Sequence, residues 1–406
     1  MLAISITTLL TLLAIMAGSV LGWNATSTID LTDRYIITLH PDTDLDTHLS
    51  SVAALCSRDT HSLHGIQHTY NISPSFRGYA GHFHPSVLSQ LHSHPAIARI
   101  ESDGLITLDA LPSSIVTETD APYGLNLISH RGLGQDTKGY VYDKSGGEGS
   151  FAYIIDTGID LSHPEFGGRA VFGHNALKGS VDDQDPVGHG THVAGIVGSN
   201  TFGVAKKCTL VAVKVFAAAE GTISEAMAGL DWSVNHILVR KRMRSSVVNM
   251  SFGAPKHESF NQAVDAAVAS GITVVVSAGN SAADVGGVSP ASAKGAIAVA
   301  ATDRYRVRDL HSNFGKAVAL FAPGEDILST WPVEGGGKKV LSGTSMAAPF
   351  VTGLVAYLQG FKCYAGPAHV KRSLTRLATA KVVADEKGSP NLFAYNNGGS
   401  KWCVKG

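Results

Sequence analysis

Two histidines three positions apart, His189 and His192, sit in the run GHGTHVAG at residues 188–195. Histidine serves as a metal ligand, a general base or a buried hydrogen-bonding group, and the spacing alone leaves all three open. A zinc-protease helix sets its histidines four apart with a glutamate between them, and no such glutamate is present here. Two other segments bear on the question. Asp156 in IIDTGID ends an apolar run and is either a helix cap or a functional carboxylate. Ser345 in LSGTSMAAP opens an apolar helical run and is either an N-cap or a nucleophile. A nucleophilic serine requires a base for its proton, and the base requires a carboxylate to fix its tautomer. Asp156, His189 and Ser345 offer one of each. A helix N-terminus at Ser345 would add unpaired N–H groups and a positive dipole end for a developing oxyanion.

Such a set needs elements that bring three distant segments together. The runs FAYIID, LVAVKV, SVVNMS, TVVVSAGN, AIAVAA and VALFAPG alternate with helical patterns. Continuous apolar runs of this kind predict strands buried on both faces, hence a parallel sheet. The fold class expected is α/β, a doubly wound, mostly parallel sheet with helices on both faces. Chemistry in such folds gathers at the carboxyl ends of the strands. Asp156, Asn249 with Ser251, and Asn280 all stand at such ends. Upstream, RYIITLH, FRGYAGHF and IARIESDGLITL frame a smaller α+β domain over about 34–108, and DALPSSIVTETDAP reads as a linker.

Composition narrows the class. The 406 residues are 44% hydrophobic and 16% charged, with 44 glycines, which suits a globular chain of two units. The net charge of -1 gives no pull toward nucleic acid or anionic membranes. The basic run at Arg240–Arg244 reads as a solvated helix end. Residues 1–22 form an apolar stretch ending in small residues, read as a cleaved signal peptide, although the usual basic start is missing. The expected product is therefore secreted, with Asn24 and Asn71 as glycosylation sequons. None of Cys56, Cys208, Cys363 and Cys403 falls in a C-x-x-C pair, which argues against a zinc or redox motif. Cys208 reads as a small buried hydrophobe, and Cys363 with Cys403 as one possible bridge near the C-terminus.

The chain order Asp156, His189, Ser345 is the subtilisin order. DTGID, GHGTHVAGIVG, SAGN and SGTSMAAP resemble the triad and oxyanion signatures of subtilisin-like serine proteases. APYGLNLISH, SHPEFGGRA, FGVAKK, SPASA, LFAPG and SPNLFAYN resemble the framework of the proteinase K branch in its fungal secreted form. The resemblance spans nearly all of residues 119–398. It implies Ser345 as nucleophile, His189 as general base and acid, Asp156 as orienting carboxylate and Asn280 as oxyanion-hole amide. His192 is then structural. It also implies substrate-binding edges at Ala219-Glu220-Gly221 and Ser251-Phe252-Gly253. Ala278, Gly279 and the segment at Val288 would form a small or apolar S1 pocket favouring apolar or aromatic P1 residues.

By the same resemblance, residues 23–115 are an inhibitory prosegment acting as intramolecular chaperone, and 116–406 the peptidase domain. Self-cleavage is expected near residues 110–117. No cofactor is expected for catalysis. The resemblance implies that the family's main calcium site is lost, because Ala319 stands where relatives place an aspartate, and it leaves structural calcium elsewhere open. Val193 replaces a cysteine common in relatives. The expected partners are polypeptide substrates and the chain's own prosegment, with neither nucleic acid nor membrane, and the expected state is a monomer. Nine of the 18 histidines lie in the prosegment region: His40, His48, His61, His64, His68, His82, His84, His92 and His94. They read either as composition bias or as a pH sensor. The rival reading is an inactive subtilase-fold binding protein, which the intact catalytic positions disfavour. GHGTH and SAGN exclude the acid-acting sedolisin type.

Overall fold

The structure is a computed structural model that describes residues 32–57, 65–104, 114–133, 138–177, 183–335, 337–362 and 364–401. Outside these lie the leader at 1–22, the Asn24 sequon, His61, His64, Cys363, Cys403 and positions 110–113 of the expected cleavage window. The chain divides into two units, Met1–Leu111 and Pro112–Gly406.

The first unit runs β1 (Arg34–Leu39), α1 (Leu45–Cys56), β2 (Gly65–Ser73), β3 (Phe76–His82), α2 (Pro85–His92) and β4 (Ile97–Ser102). Its sheet has the order β2-β3-β1-β4 with antiparallel neighbours. This is the β-α-β-β-α-β arrangement of ferredoxin-like domains. Asp44 caps α1 by accepting from Thr47 N (2.8 Å). The core is Ile37, Leu39, Val52, Cys56, Tyr79, Phe83, Val87 and Leu91. Asn71 lies on β2.

The second unit opens with β5 (Ile115–Glu118), α3 (Tyr123–Ser129) and β6 (Tyr140–Asp143), followed by β7 (Phe151–Asp156) and β8 (Ala170–Asn175). Next come α4 (His189–Gly198), β9 (Thr209–Lys214), α5 (Ile223–Val239), β10 (Ser246–Met250) and β11 (Ala254–Pro255). Then follow α6 (Glu258–Ala269), β12 (Thr273–Ser277), β13 (Val288–Ser289), β14 (Ile297–Thr302) and β15 (Val318–Pro323). The last are β16 (Ile327–Thr330), β17 (Lys338–Leu341), α7 (Thr344–Gly360), α8 (Pro367–Leu377), β18 (Thr379–Ala380) and β19 (Leu392–Phe393).

Among the described residues the main sheet has the order β18-β19-β15-β14-β12-β10-β7-β9-β8. Every pairing in it is parallel except β18 with β19. The expected α/β doubly wound class is what forms. β10, β12, β14 and β15 are buried along their whole length, as strands covered on both faces must be. α7 is buried from Met346 to Gln359 and packs on β10, β12, β14, β15 and α4, so the helix that starts beside Ser345 is a core element. β5 begins one residue ahead of the expected boundary at 116 and pairs with β6. The Lys206 ammonium reaches Glu118 (2.9 Å) and lies over the Tyr140 and Tyr142 rings, which fastens this N-terminal strand to its unit. Cys208 is fully buried, and burial pushes its thiol up to about 12, as expected of a small hydrophobe.

Candidate active site

β7 delivers Asp156 at its carboxyl end, where the side chain is only 1% exposed. α4 starts with His189, and two glycines make its approach possible. Gly188 caps the helix at φ 88, and a Cβ there would stand 2.5 Å from the Trp331 ring. A Cβ on Gly190 would sit 2.1 Å from the Gly158 carbonyl oxygen. With both positions bare, His189 Nδ1 comes to 2.8 Å from Asp156 Oδ1, which also accepts from Thr157 N (2.8 Å). Burial acts to lower the His189 pKa, but the charge and hydrogen bond of Asp156, with a smaller push from Asp185, leave it raised.

Ser345 occupies the first turn of α7, where backbone N–H groups have no helical acceptor. Its hydroxyl donates to the Ser251 carbonyl oxygen (2.8 Å) rather than to His189. Nucleophile–base contacts are commonly loose in substrate-free sites and tighten in the complex. Four residues on, Pro349 has no N–H, so the Ser345 carbonyl lacks its helical donor. The Ser251 hydroxyl fills that role at 2.9 Å. Behind it, Asn249 Nδ2 donates to Ser251 Oγ (3.0 Å) and Thr352 Oγ1 donates to Asn249 Oδ1 (2.7 Å). The nucleophile's backbone is thus braced by a chain of buried polar groups.

Asn280 lies beyond the end of β12. Its Oδ1 accepts from both Thr344 N and Thr344 Oγ1 (2.9 Å each), which leaves Nδ2 as its free donor beside the start of α7. A Cβ on Gly343 would lie 3.1 Å from that nitrogen.

A cavity of about 550 Å³ joins these parts. Asp156, His189 and Ser345 line it together with Ala219, Glu220, Gly221, Ser251, Phe252 and Gly253. Phe216, Ile223, Ala226 and Phe260 add an apolar wall, with Phe216 and Phe252 edge to face at 4.9 Å. Ala278 and Gly279 are not among the residues lining this cavity: Ala278 is fully buried, and the Gly279 N–H donates to Thr344 Oγ1 (3.0 Å). Val288 stands between the Gly253 and Gly279 backbones, within 3.1 and 3.6 Å of the Cβ positions they lack.

His192 is fully buried, one turn along α4. Its Nε2 lies 3.1 Å from Ile327 O and 3.0 Å from Lys339 O, and burial lowers its pKa to about 4. It ties α4 to the β16–β17 hairpin. Among the described residues no group of three or more His, Cys, Asp or Glu could hold a metal ion. Ala319 lies in β15, where its methyl side chain offers calcium no oxygen. The residues that sequence reasoning passed over are Asp185, Thr157, Thr191 and Thr352. The only sequence signal for Asp185 was its place four residues before His189.

The sequence profile of the subtilase family matches residues 147–395, and that of the peptidase inhibitor I9 family matches residues 34–109. Alkaline protease 1 of Aspergillus clavatus is 43% identical over 332 residues, covering 82% of this chain and 80% of that protein. Subtilisin-like protease 3 of Pseudogymnoascus destructans is 40% identical over 383 residues, 93% of each. Among solved structures, a cold adapted subtilisin-like serine proteinase superposes with a TM-score of 0.63 at 38% identity, over 68% of this chain and 98% of that one.

Proposed function

The chain belongs to the subtilase family, and from that premise we propose that it hydrolyses peptide bonds through Asp156, His189 and Ser345 by way of an acyl-enzyme. It is a serine endopeptidase with an I9 inhibitor prosegment. His189 takes the proton from Ser345 Oγ as the hydroxyl attacks the scissile carbonyl, and Asp156 holds the imidazole and stabilises the imidazolium. The oxyanion receives Asn280 Nδ2 and the Ser345 N–H. His189 then protonates the leaving amine, and water repeats the sequence to free the acid. The observation that carries this reading is the 2.8 Å Asp156–His189 bond on the wall of one cavity with Ser345.

Substrate binds as an extended strand between Ala219-Glu220-Gly221 and Ser251-Phe252-Gly253. The residues expected at the S1 position, Ala278, Gly279 and Val288, are small or apolar and carry no charge to select Arg or Lys, so apolar and aromatic P1 residues are favoured. The prosegment folds the peptidase, inhibits it and is cut by it N-terminal to β5. The enzyme leaves the cell through its leader, acts as a monomer and needs no metal for the chemistry. The test is a peptide library varied at P1, assayed with and without a serine-directed fluorophosphonate. Preference for basic P1, or activity resistant to the reagent, overturns the reading. A folded chain without turnover on any peptide would favour the binding-protein alternative.

A further inference from the structure

Asp185 is 4% exposed and uses both carboxylate oxygens. Oδ1 accepts from Thr157 Oγ1 (2.7 Å) and Gly188 N (2.8 Å), and Oδ2 from Thr191 N (2.8 Å) and Thr191 Oγ1 (2.6 Å). Thr157 follows Asp156, and Gly188 precedes His189. One buried carboxylate therefore fastens the backbone beside both groups. The two hydroxyls that donate to it also accept, Thr157 Oγ1 from Gly190 N and Thr191 Oγ1 from Asp160 N (2.9 Å each). Each donor and acceptor in this ring has its complement, so the arrangement is rigid.

We propose that Asp185 is a positioning residue for the base: it holds Asp156 and His189 in register and, by its fixed negative charge, favours the imidazolium that His189 becomes during attack. The inference rests on His189 being the base. The charged and titratable groups around His189 are Asp156 from β7, Asp185 from the loop ahead of α4, His192 on α4 itself and Glu220 on the cavity wall. His192 is kept neutral by burial, which leaves the two aspartates as the groups that raise the His189 pKa against the effect of burial. A helix cap alone needs an acceptor but not a charge, since serine and asparagine cap as well as aspartate.

That difference makes the test. Asp185→Asn removes the charge and turns an amide donor toward Thr191. Asp185→Ser removes the charge but keeps a capping oxygen. Each full-length variant is matured with a trace of tagged wild-type enzyme, which is then removed. kcat and KM on a soluble peptide amide are measured across pH at fixed ionic strength, with melting temperatures alongside. In both variants the acid limb of kcat/KM moves to lower pH by about half a unit, as loss of one nearby negative charge dictates. kcat falls about tenfold while KM stays within about twofold, because the edges that bind substrate are untouched. An acid limb that stays in place in the better-folded variant, with only the melting temperature lowered, overturns the proposal and leaves Asp185 a structural cap. A Ser345→Ala control that retains activity would instead overturn the triad assignment on which this inference rests, an outcome distinct from an unmoved acid limb.

Discussion

Asp156 holds its imidazole through Oδ1, while its buried Oδ2 has no partner among the described residues. The carboxylate thus acts on His189 through an oxygen that it shares with one backbone donor, Thr157 N. Asp156→Asn keeps the shape but offers an amide that no longer fixes the tautomer, and kcat is expected to fall by about 10⁴ with KM little changed. A variant with a tenth of normal kcat would contradict the assignment. The raised His189 pKa sets the sign of the pH dependence. The base must be neutral to act, so activity is present at high pH and lost as pH falls through a midpoint above the ordinary histidine value near 6.5. A kcat/KM profile with its acid midpoint below that value would contradict the raised pKa. At this scale the sequence exposed the three reacting groups because each sits in a short motif of distinctive chemistry. It did not expose Asp185, Thr157 or Thr352, whose roles come from hydrogen bonds to residues 28, 28 and 103 positions away.

The strands of the main sheet were legible because FAYIID, SVVNM and TVVVS each hold consecutive apolar residues rather than an alternation, as burial on both faces requires. β8 and the β16–β17 hairpin were not. β8 is an edge strand with Val171 and Phe172 half exposed, and β17 reads KKVL with its side chains largely in solvent. β8 is held by its pairing with β9 and the stacking of His174 on Trp232, and the hairpin by His192 at Ile327 O and Lys339 O, rather than by their own pattern. β15 carries the calcium expectation, since Ala319 supplies no side-chain oxygen there. Adding a chelator is expected to leave the melting temperature unchanged, and a loss that calcium restores would refute this.

In the first unit, α1 buries His48 beside Tyr79 and His94, with Nε2 3.2 Å from the Tyr79 hydroxyl. Burial first, and the neighbouring His94 second, lower its pKa. Its neutral form is compatible with the fold above the unfolded value near 6.5, and the destabilisation grows as pH falls below that toward the folded value. The processed, inhibited complex should therefore release activity sooner when held at about pH 5.5 than at about pH 7.5, on either side of the free histidine value, with samples from both assayed at one alkaline pH where His189 is neutral. His48→Leu, which cannot charge, should lengthen the acid lag and leave the neutral one alone. Equal lags at both pH values would sink the idea.

Over the whole molecule, the change of pattern at the Pro/Ser/Thr-rich stretch was visible in the sequence, and the contacts divide between Leu111 and Pro112. The finer boundary was not visible, because β5 owes its place to Lys206 and β6 rather than to its own composition. Since Ser114 and β5 are bonded into the second unit, the cut is expected ahead of them. Ser345→Ala should accumulate as uncut full-length chain with an unchanged circular dichroism spectrum. Unaided maturation of that variant would assign the cut to another protease.

Intact-mass and peptide mass spectrometry of the mature enzyme after fluorophosphonate treatment decides whether Ser345 is the nucleophile. One adduct is expected, on Ser345, appearing in step with loss of peptidase activity and absent from the Ser345→Ala chain. Full inactivation with the adduct on another residue, or full activity with Ser345 modified, would contradict that assignment.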